Sequence, residues 1–382
     1  MRQWAWKLGR VAGIDVFVHA TFLLIVLWVG LGQWLEEGSL GGALAAVAFL
    51  LAVFFTVVLH EFGHALVARR YGIRTRDVTL WPIGGVATLE RMPEDPRQEL
   101  WVALAGPAVS AGIAAAIFLW LTLTAQLGTI TGLDLTAGSF LERLMVVNVA
   151  LVLFNILPAF PMDGGRVLRA LLALRLPYVE ATRRAAGIGQ AMAFLFGLVG
   201  LVANPMLLFV AFFVWMGAAQ EANAVQAKSA LAGIPVSQAM LTDFRGLQRS
   251  DSLRRAVELV LAGSQQDFPV LEDGRIVGVL TRGDLLLALA ERGEAVPVAG
   301  VMQTSFLTVD ADEGLDLVAQ RLQECKCHTL PVVSGGELVG LLTMDNVGEY
   351  LMIRSALEKA GGIVGAGGPF GAPPRRWRPE QI

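Results

Sequence analysis

His60, Glu61 and His64 lie inside an apolar stretch, Thr56-Val57-Val58-Leu59-His60-Glu61-Phe62-Gly63-His64-Ala65-Leu66, where a membrane helix should carry no ionisable group. The two histidines are four residues apart, so on a helix they lie one above the other on one face. That spacing lets two imidazoles reach one Zn²⁺, with Glu61 beside them as a candidate general base. The chain has only four histidines among 382 residues, so the match carries weight. Two ligands do not complete a catalytic zinc site, which takes three from the protein and keeps its fourth position open.

A further ionisable group stands in Asn155-Ile-Leu-Pro-Ala-Phe-Pro-Met-Asp163-Gly-Gly-Arg166. Pro158 and Pro161 break a helix there, and Gly164-Gly165 permits close backbone approach. Asp163 is therefore expected where an irregular segment enters the membrane, which is tolerated only inside protein or along a wet cavity. An ionised aspartate near mid-bilayer costs about 2.5–3.5 kcal/mol and needs a partner. A Zn²⁺ held by His60 and His64 is the natural one; capping the helix that starts at Gly164 is a second, compatible role. Asn148 and Asn155 share roughly one helical face. Either can hydrogen-bond across helices, and Asn155 can alternatively donate to a substrate carbonyl as its oxyanion develops. His19, at a membrane border, reads as interfacial and stays outside the metal set.

The elements that must position these groups are apolar. Hydrophobic residues make up 55% of the chain and charged ones 16%, with net charge −3 and mean hydropathy +0.59. That is the composition of an integral membrane protein without a nucleic-acid footprint. Apolar segments run roughly over 17–35, 42–68, 98–127, 141–157, 187–203 and 205–222, mostly near the ~20 residues of a spanning helix. Met1–Arg10 has the basic start of a signal peptide but no cleavage site before Glu36-Glu37, so it reads as leading into a retained first span, with Trp4, Trp6, Lys7 and Arg10 as interfacial anchors. The loop between spans two and three carries Arg69, Arg70, Arg74, Arg76, Arg91 and Arg97, and the next such loop Arg166, Arg169, Arg175, Arg183 and Arg184. The positive-inside rule then places both termini in the cytoplasm and the histidines ~12 Å below that surface. Asp77–Glu90, around Gly84-Gly85, reads as a short hairpin. It is either a loop tucked onto the bundle or an edge strand that holds an extended substrate by main-chain pairing. Ala105-Gly106-Pro107-Ala108-Val109-Ser110 reads as a packing and kink element.

Past Gln220 the composition turns soluble and a repeat appears. Val236–Met240, Phe268–Leu271 and Gly278–Thr281 recur 62 positions later as Val298–Met302, Leu330–Val333 and Gly340–Thr343. Two copies of one small α/β module packed as a pair are expected. Both cysteines, Cys325 and Cys327, fall in the second copy. They give no disulfide framework and read as half-buried residues at a strand entrance, with a Cys-x-Cys-His metal site as the alternative. The tail, rich in Gly, Pro and Arg, reads as disordered.

Residues 8–222 resemble the site-2 protease family of intramembrane zinc metalloproteases: His60-Glu61-Phe62-Gly63-His64 is similar to its zinc helix, and Asn155 through Gly165 to its Asn-x-x-Pro-x-x-Pro-x-Asp-Gly-Gly element. The resemblance implies one Zn²⁺ per chain on His60, His64 and Asp163, with Glu61 activating water and Asn155 as a catalytic candidate. Ala105-Gly106-Pro107 and Gly84-Gly85 are similar to further landmarks, the latter near the substrate. The repeats resemble a CBS pair, which implies an adenine nucleotide such as ATP or AMP and a homodimer. Gly278, Thr281 and Asp284 fit the ribose-holding Gly-x-x-Thr-x-x-Asp element, whereas the second copy has Asn346 in place of the acid.

The expected architecture is thus a polytopic α-helical membrane domain of about six transmembrane helices with a short membrane-associated β-hairpin over 1–222, a linker over 223–233, CBS repeats over 234–293 and 294–356, and a tail over 357–382. The expected function is a multi-pass intramembrane zinc endopeptidase that cuts a membrane-protein substrate near the cytosolic face under control of the cytosolic CBS pair. A CBS-gated divalent metal transporter using the same His/His/Asp cluster is the alternative, although spans three, five and six offer few polar residues for a path. A catalytically dead binding protein is disfavoured, because Glu61 and all three ligand candidates are present.

Overall fold

The computed structural model describes residues 4–359, except 83, 91, 92, 94, 126–137, 264 and 326. It divides into two compact units, Met1–Val225 and Gln226–Ile382.

The first unit opens with strands β1 (Ala5–Val11) and β2 (Ile14–His19), followed by helices α1 (Ala20–Glu37) and α2 (Leu40–Arg70). Strands β3 (Thr75–Trp81) and β4 (Gly84–Leu89) come next, then helices α3 (Pro96–Leu123), α4 (Phe140–Asn155), α5 (Asp163–Ala173), α6 (Tyr178–Val202) and α7 (Met206–Leu231). Helices α1, α2, α3, α6 and α7 are long and apolar enough to cross a membrane. The fourth expected span differs: α4 has only 16 residues, because the chain leaves the helix ahead of Pro158 and continues irregularly to Met162. Local signals set the ends. Gly38 closes α1 in the left-handed conformation, Ser39 caps α2, and Asp95 caps α3 with Pro96 in its first turn.

The expected hairpin is present as β3–β4, but it belongs to a larger sheet of order β1-β2-β3-β4, in which β2 and β3 pair in parallel. The segment expected to lead into the first span forms an N-terminal hairpin, on which Trp6 is exposed. Ile14, Val16 and Val18 alternate inward onto Phe22, Phe54, Phe62 and Ala65, at a period of two that belongs to a strand. That alternation runs straight into the apolar residues of α1, so the two elements look like one segment in the sequence. His19 caps α1 through Nδ1 and stacks on Trp81, a structural role. β1 and β4 are the edges.

The second unit contains two three-stranded sheets. Strands β5 (Leu247–Gln248), β6 (Phe268–Glu272) and β7 (Arg275–Leu280) go with helices α8 (Leu253–Ala262) and α9 (Arg282–Arg292). Strands β8 (Val309–Asp310), β9 (Thr329–Ser334) and β10 (Glu337–Thr343) go with α10 (Leu315–Cys325) and α11 (Met344–Lys359). The two cores exchange their leading segments. Ile234, Val236 and Met240 pack into the core built from residues 309–350, while Val298 and Met302 pack into the core built from residues 247–289. A boundary at 293/294 therefore separates the repeats in sequence but not the cores. Most of the linker expected over 223–233 is helical, since α7 continues to Leu231. Cys325 and Cys327, expected unpaired, are joined as a disulfide. The tail beyond Lys359 lies outside the described residues.

Candidate metal centre

His60 and His64 lie one turn apart on α2, buried at 5% and 4% exposure, and Asp163 opens α5 at 6%. His60 Nε2, His64 Nε2 and Asp163 Oδ2 form a triangle whose three edges are each 3.1 Å. Two of these residues are about a hundred positions from the third. Four bonds of 2.0–2.1 Å in tetrahedral array set neighbouring ligand atoms about 3.3 Å apart, so the triangle has the size of one face of a zinc tetrahedron.

The partner of each outer nitrogen bears on which ring atom presents a lone pair. His64 Nδ1 donates to the Val102 carbonyl at 2.7 Å; a carbonyl can only accept, so the neutral ring keeps Nε2 unprotonated. His60 Nδ1 meets Ser110 Oγ at 3.0 Å, which allows the same tautomer. With that tautomer on both rings, two imidazole lone pairs and a carboxylate oxygen face one another in a buried site. That arrangement is repulsive unless a cation lies among them. The donor set fits Zn²⁺. Among the described residues, His60, His64 and Asp163 form a three-ligand cluster.

One face of α3 supports this site. Glu99, Val102, Gly106 and Ser110 follow one another at helical spacings of three and four, and all are buried. A Cβ at Gly106 would stand 2.1 Å from His64 Nε2 and 2.5 Å from His60 Nε2. Gly63 of α2 lets the two helices close, since a Cβ there would meet the Ala105 carbonyl oxygen at 2.7 Å. The expected packing element Ala105–Ser110 does more than pack, because its glycine leaves room for the imidazoles. The signal was the spacing of Glu99, Val102, Gly106 and Ser110, visible only once the histidines have somewhere to point.

The irregular segment before Asp163 is held from both sides. Cβ atoms at Gly164 and Gly165 would meet the backbone of residues 156–160 at 2.2–2.6 Å, and one at Gly217 of α7 would meet Pro161 Cδ at 2.5 Å. Arg166 Nη1 lies 3.8 Å from Asp163 Oδ1, the oxygen that does not face the histidines.

Glu61 is half-buried on the same turn of α2. A Cβ at Gly85 of β4 would lie 3.1 Å from Glu61 Cγ and 3.2 Å from Val57 Cγ1, so the edge strand crosses directly over the glutamate. Among the described residues, no hydrogen bond draws Asn155 into the cluster. Its amide nitrogen donates to the Leu151 carbonyl one turn back, and Asn148 likewise donates to Leu144.

A model of peptidase family M50 matches residues 48–200, and a CBS-domain model matches 236–291 and 298–352. The chain is 30% identical over 354 residues to zinc metalloprotease MJ0392 of Methanocaldococcus jannaschii, covering 92% of this chain and 98% of that protein. The chain belongs to peptidase family M50. The M50 chain is also 30% identical over 377 residues to Rip3 of Mycobacterium tuberculosis, covering 91% and 93% of the two chains. The solved site-2 protease from Methanocaldococcus jannaschii is 36% identical, covering 57% of this chain and 95% of that one at a TM-score of 0.42. Family and apolar helices together make this M50 member a multi-pass membrane zinc metalloprotease with a CBS pair.

In the CBS pair, Thr281 Oγ1 donates to Asp284 Oδ2 at 2.6 Å, and Gln303 Nε2 donates to the same oxygen at 2.8 Å. In the second copy Thr343 Oγ1 donates to Asn346 Oδ1 at 2.8 Å, which keeps the cap but replaces a carboxylate by an amide. Gly278 serves packing: a Cβ there would meet Met302 Sδ at 2.6 Å, and one at Gly340 would meet Met240 Sδ at the same distance. Of the three nucleotide candidates, Thr281 and Asp284 are thus joined to each other while Gly278 is matched to the exchanged segment.

Proposed function

We propose that this M50 protease cleaves a peptide bond within or near a transmembrane segment of a membrane-protein substrate, close to the cytosolic face, and that the CBS pair regulates it through an adenine nucleotide. The observation that carries the proposal is the triangle of His60, His64 and Asp163 with the β4 edge lying over Glu61. His60, His64 and Asp163 would hold one Zn²⁺. When bound, that ion polarises a carbonyl as a Lewis acid and lowers the pKa of a water ligand to about 7.

The chain supplies the remaining chemistry. The Glu61 carboxylate takes a proton from the attacking water and delivers it to the nitrogen of the leaving amine, so the C–N bond breaks as an amine leaves and a carboxylic acid is formed. A helical substrate hides its carbonyls in intrahelical hydrogen bonds, so the bond to be cut must first be extended. β4 pairs with β3 on one side, and its other edge offers main-chain groups beside Glu61 for that purpose. Asn155 faces back along α4, which supports a helix-ending role over an oxyanion role.

Arg69 and Arg70 in the last turn of α2, with the further loop arginines, support cytoplasmic termini and CBS repeats. Asp284 supports a nucleotide at the first repeat. Pairing of CBS modules between two chains would make a homodimer.

The test is zinc content and cleavage of single-span substrates by purified protein. Wild type should hold one zinc and cleave; Asp163→Ala should lose both. Cleavage by zinc-free Asp163→Ala at the wild-type rate would refute the assignment.

A further inference from the structure

Arg169 carries a fixed positive charge and is completely buried, as is its partner Glu99 on α3. Its Nε donates to Glu99 Oε1 at 2.7 Å and its Nη2 lies 2.5 Å from the same oxygen. Its Nη1 donates to Glu221 on α7. The guanidinium also lies 5.0 Å from the ring centres of Phe160 and Tyr178. One side chain therefore joins α5 to α3, to α7, to the start of α6 and to the irregular segment that precedes Asp163.

This network is poorly matched as a device for stability. Two carboxylates meet one guanidinium, and Glu99 Oε2 is buried without a hydrogen-bond partner among the described residues. Replacing a buried ion network by apolar groups of similar volume is often neutral or stabilising, so burial of these charges is weak evidence that they hold the fold together. What they do fix is geometry. Glu99 stands on the same face of α3 as Val102, Gly106 and Ser110, the positions against which both imidazoles rest. Asp163 reaches those imidazoles from α5, which the Arg169–Glu99 pair joins to α3. A guanidinium fork has a rigid, directional shape that apolar packing lacks.

We propose that Arg169 is a positioning residue of the metal centre: by locking α5 onto the Glu99 face of α3 and onto Glu221, it sets the Asp163 carboxylate at the third corner of the ligand triangle. It touches neither substrate nor ligand atoms. The proposal rests on the reading of His60, His64 and Asp163 as a zinc site.

The experiment measures zinc dissociation constants by chelator competition on the full-length protein in detergent, with thermal unfolding of the zinc-free protein in parallel. The variants are Arg169→Lys, which keeps the charge and loses the fork, and the combination Glu99→Leu, Arg169→Met and Glu221→Leu, which replaces the network by apolar side chains. Both should weaken zinc by about 10-fold or more, the lower end of what losing a direct partner of a ligand costs, because Arg169 acts on Asp163 through α5. The apolar combination should keep the unfolding temperature of wild type, and Co²⁺ substituted into it should show an altered visible spectrum. Wild-type zinc affinity and an unchanged Co²⁺ spectrum in either folded variant would overturn the proposal. If the apolar combination fails to fold, Arg169→Lys alone decides by the same readouts. Asp163→Ala is the reference for a lost ligand. A wild-type protein that binds no zinc would refute the metal reading itself, a result distinct from zinc binding that ignores Arg169.

Discussion

Gly106→Ala adds one methyl group to α3 and should disable the metal centre. The added Cβ would stand 2.1 Å from His64 Nε2, 2.5 Å from His60 Nε2 and 2.6 Å from His64 Cε1. Carbon and nitrogen need about 3.5 Å, so the His64 ring must retreat by more than 1 Å. Zinc–nitrogen bonds tolerate deviations of about ±0.2 Å. The ring also cannot retreat freely, because its Nδ1 is held by the Val102 carbonyl on the same helix. At least one ligand is therefore lost or misdirected. Zinc affinity should fall by about 10²-fold or more, equivalent to about 2.8 kcal/mol at 1.4 kcal/mol per decade. The assay is chelator competition in detergent. Gly112→Ala on the same helix is the control: a Cβ there meets nothing within 4 Å, and the replacement should slightly favour the helix by up to about 1 kcal/mol. If Gly106→Ala bound zinc as tightly as wild type, α3 would not approach the imidazoles as closely as the structure has it.

Other outcomes follow from the same contacts. Glu61→Gln should retain zinc while cleavage falls by at least ~10²-fold, since it keeps the shape of the side chain and removes the base; a normal rate would assign the base elsewhere. Gly85→Val should lower cleavage with little change in zinc affinity, because the branched side chain would push β4 away from Val57 and the Glu61 stem; equal loss of both would mean that β4 supports the metal site instead. Titration calorimetry with AMP should give one nucleotide per CBS pair, abolished by Asp284→Asn, and Asn346→Asp should raise the stoichiometry towards two. Two equivalents in wild type would show that the second copy binds without its acid.

The positions that carry chemistry were legible because each violates its surroundings. Two histidines and a glutamate in an apolar helix, and an aspartate between prolines and glycines, demand an explanation that composition does not supply. The β3–β4 hairpin was legible from its alternation and Gly84-Gly85. The N-terminal hairpin was not, since only His19 separates Val16, Phe17 and Val18 from the apolar residues of α1. The exchanged segments of the CBS pair were hidden for a different reason. A repeat shows which residues correspond but not which copy's core each one enters, and that is decided by contacts such as Met302 on Gly278 and Met240 on Gly340. Asn155 is less legible: the helix ends between it and Asp163, and its amide donates back to the Leu151 carbonyl.

The role of α3 explains why a metal site can be built from a helix and a broken segment about a hundred residues apart. α2 by itself fixes the separation of two imidazoles but not the rotation of either ring, and a ring free to turn presents the wrong nitrogen as often as the right one. The Val102 carbonyl removes that freedom for His64, and Ser110 limits it for His60. Gly106, between these two contacts, removes the side chain that would otherwise fill the space into which both Nε2 atoms point. The same helix then receives α5 through Glu99, one turn before Val102. All three corners of the triangle are thus referred to one face of one helix. The consequence is directional: changes to that face should damage metal binding before they damage folding, whereas changes to the outward face of α3, where Trp101 and Leu119 are exposed, should do neither.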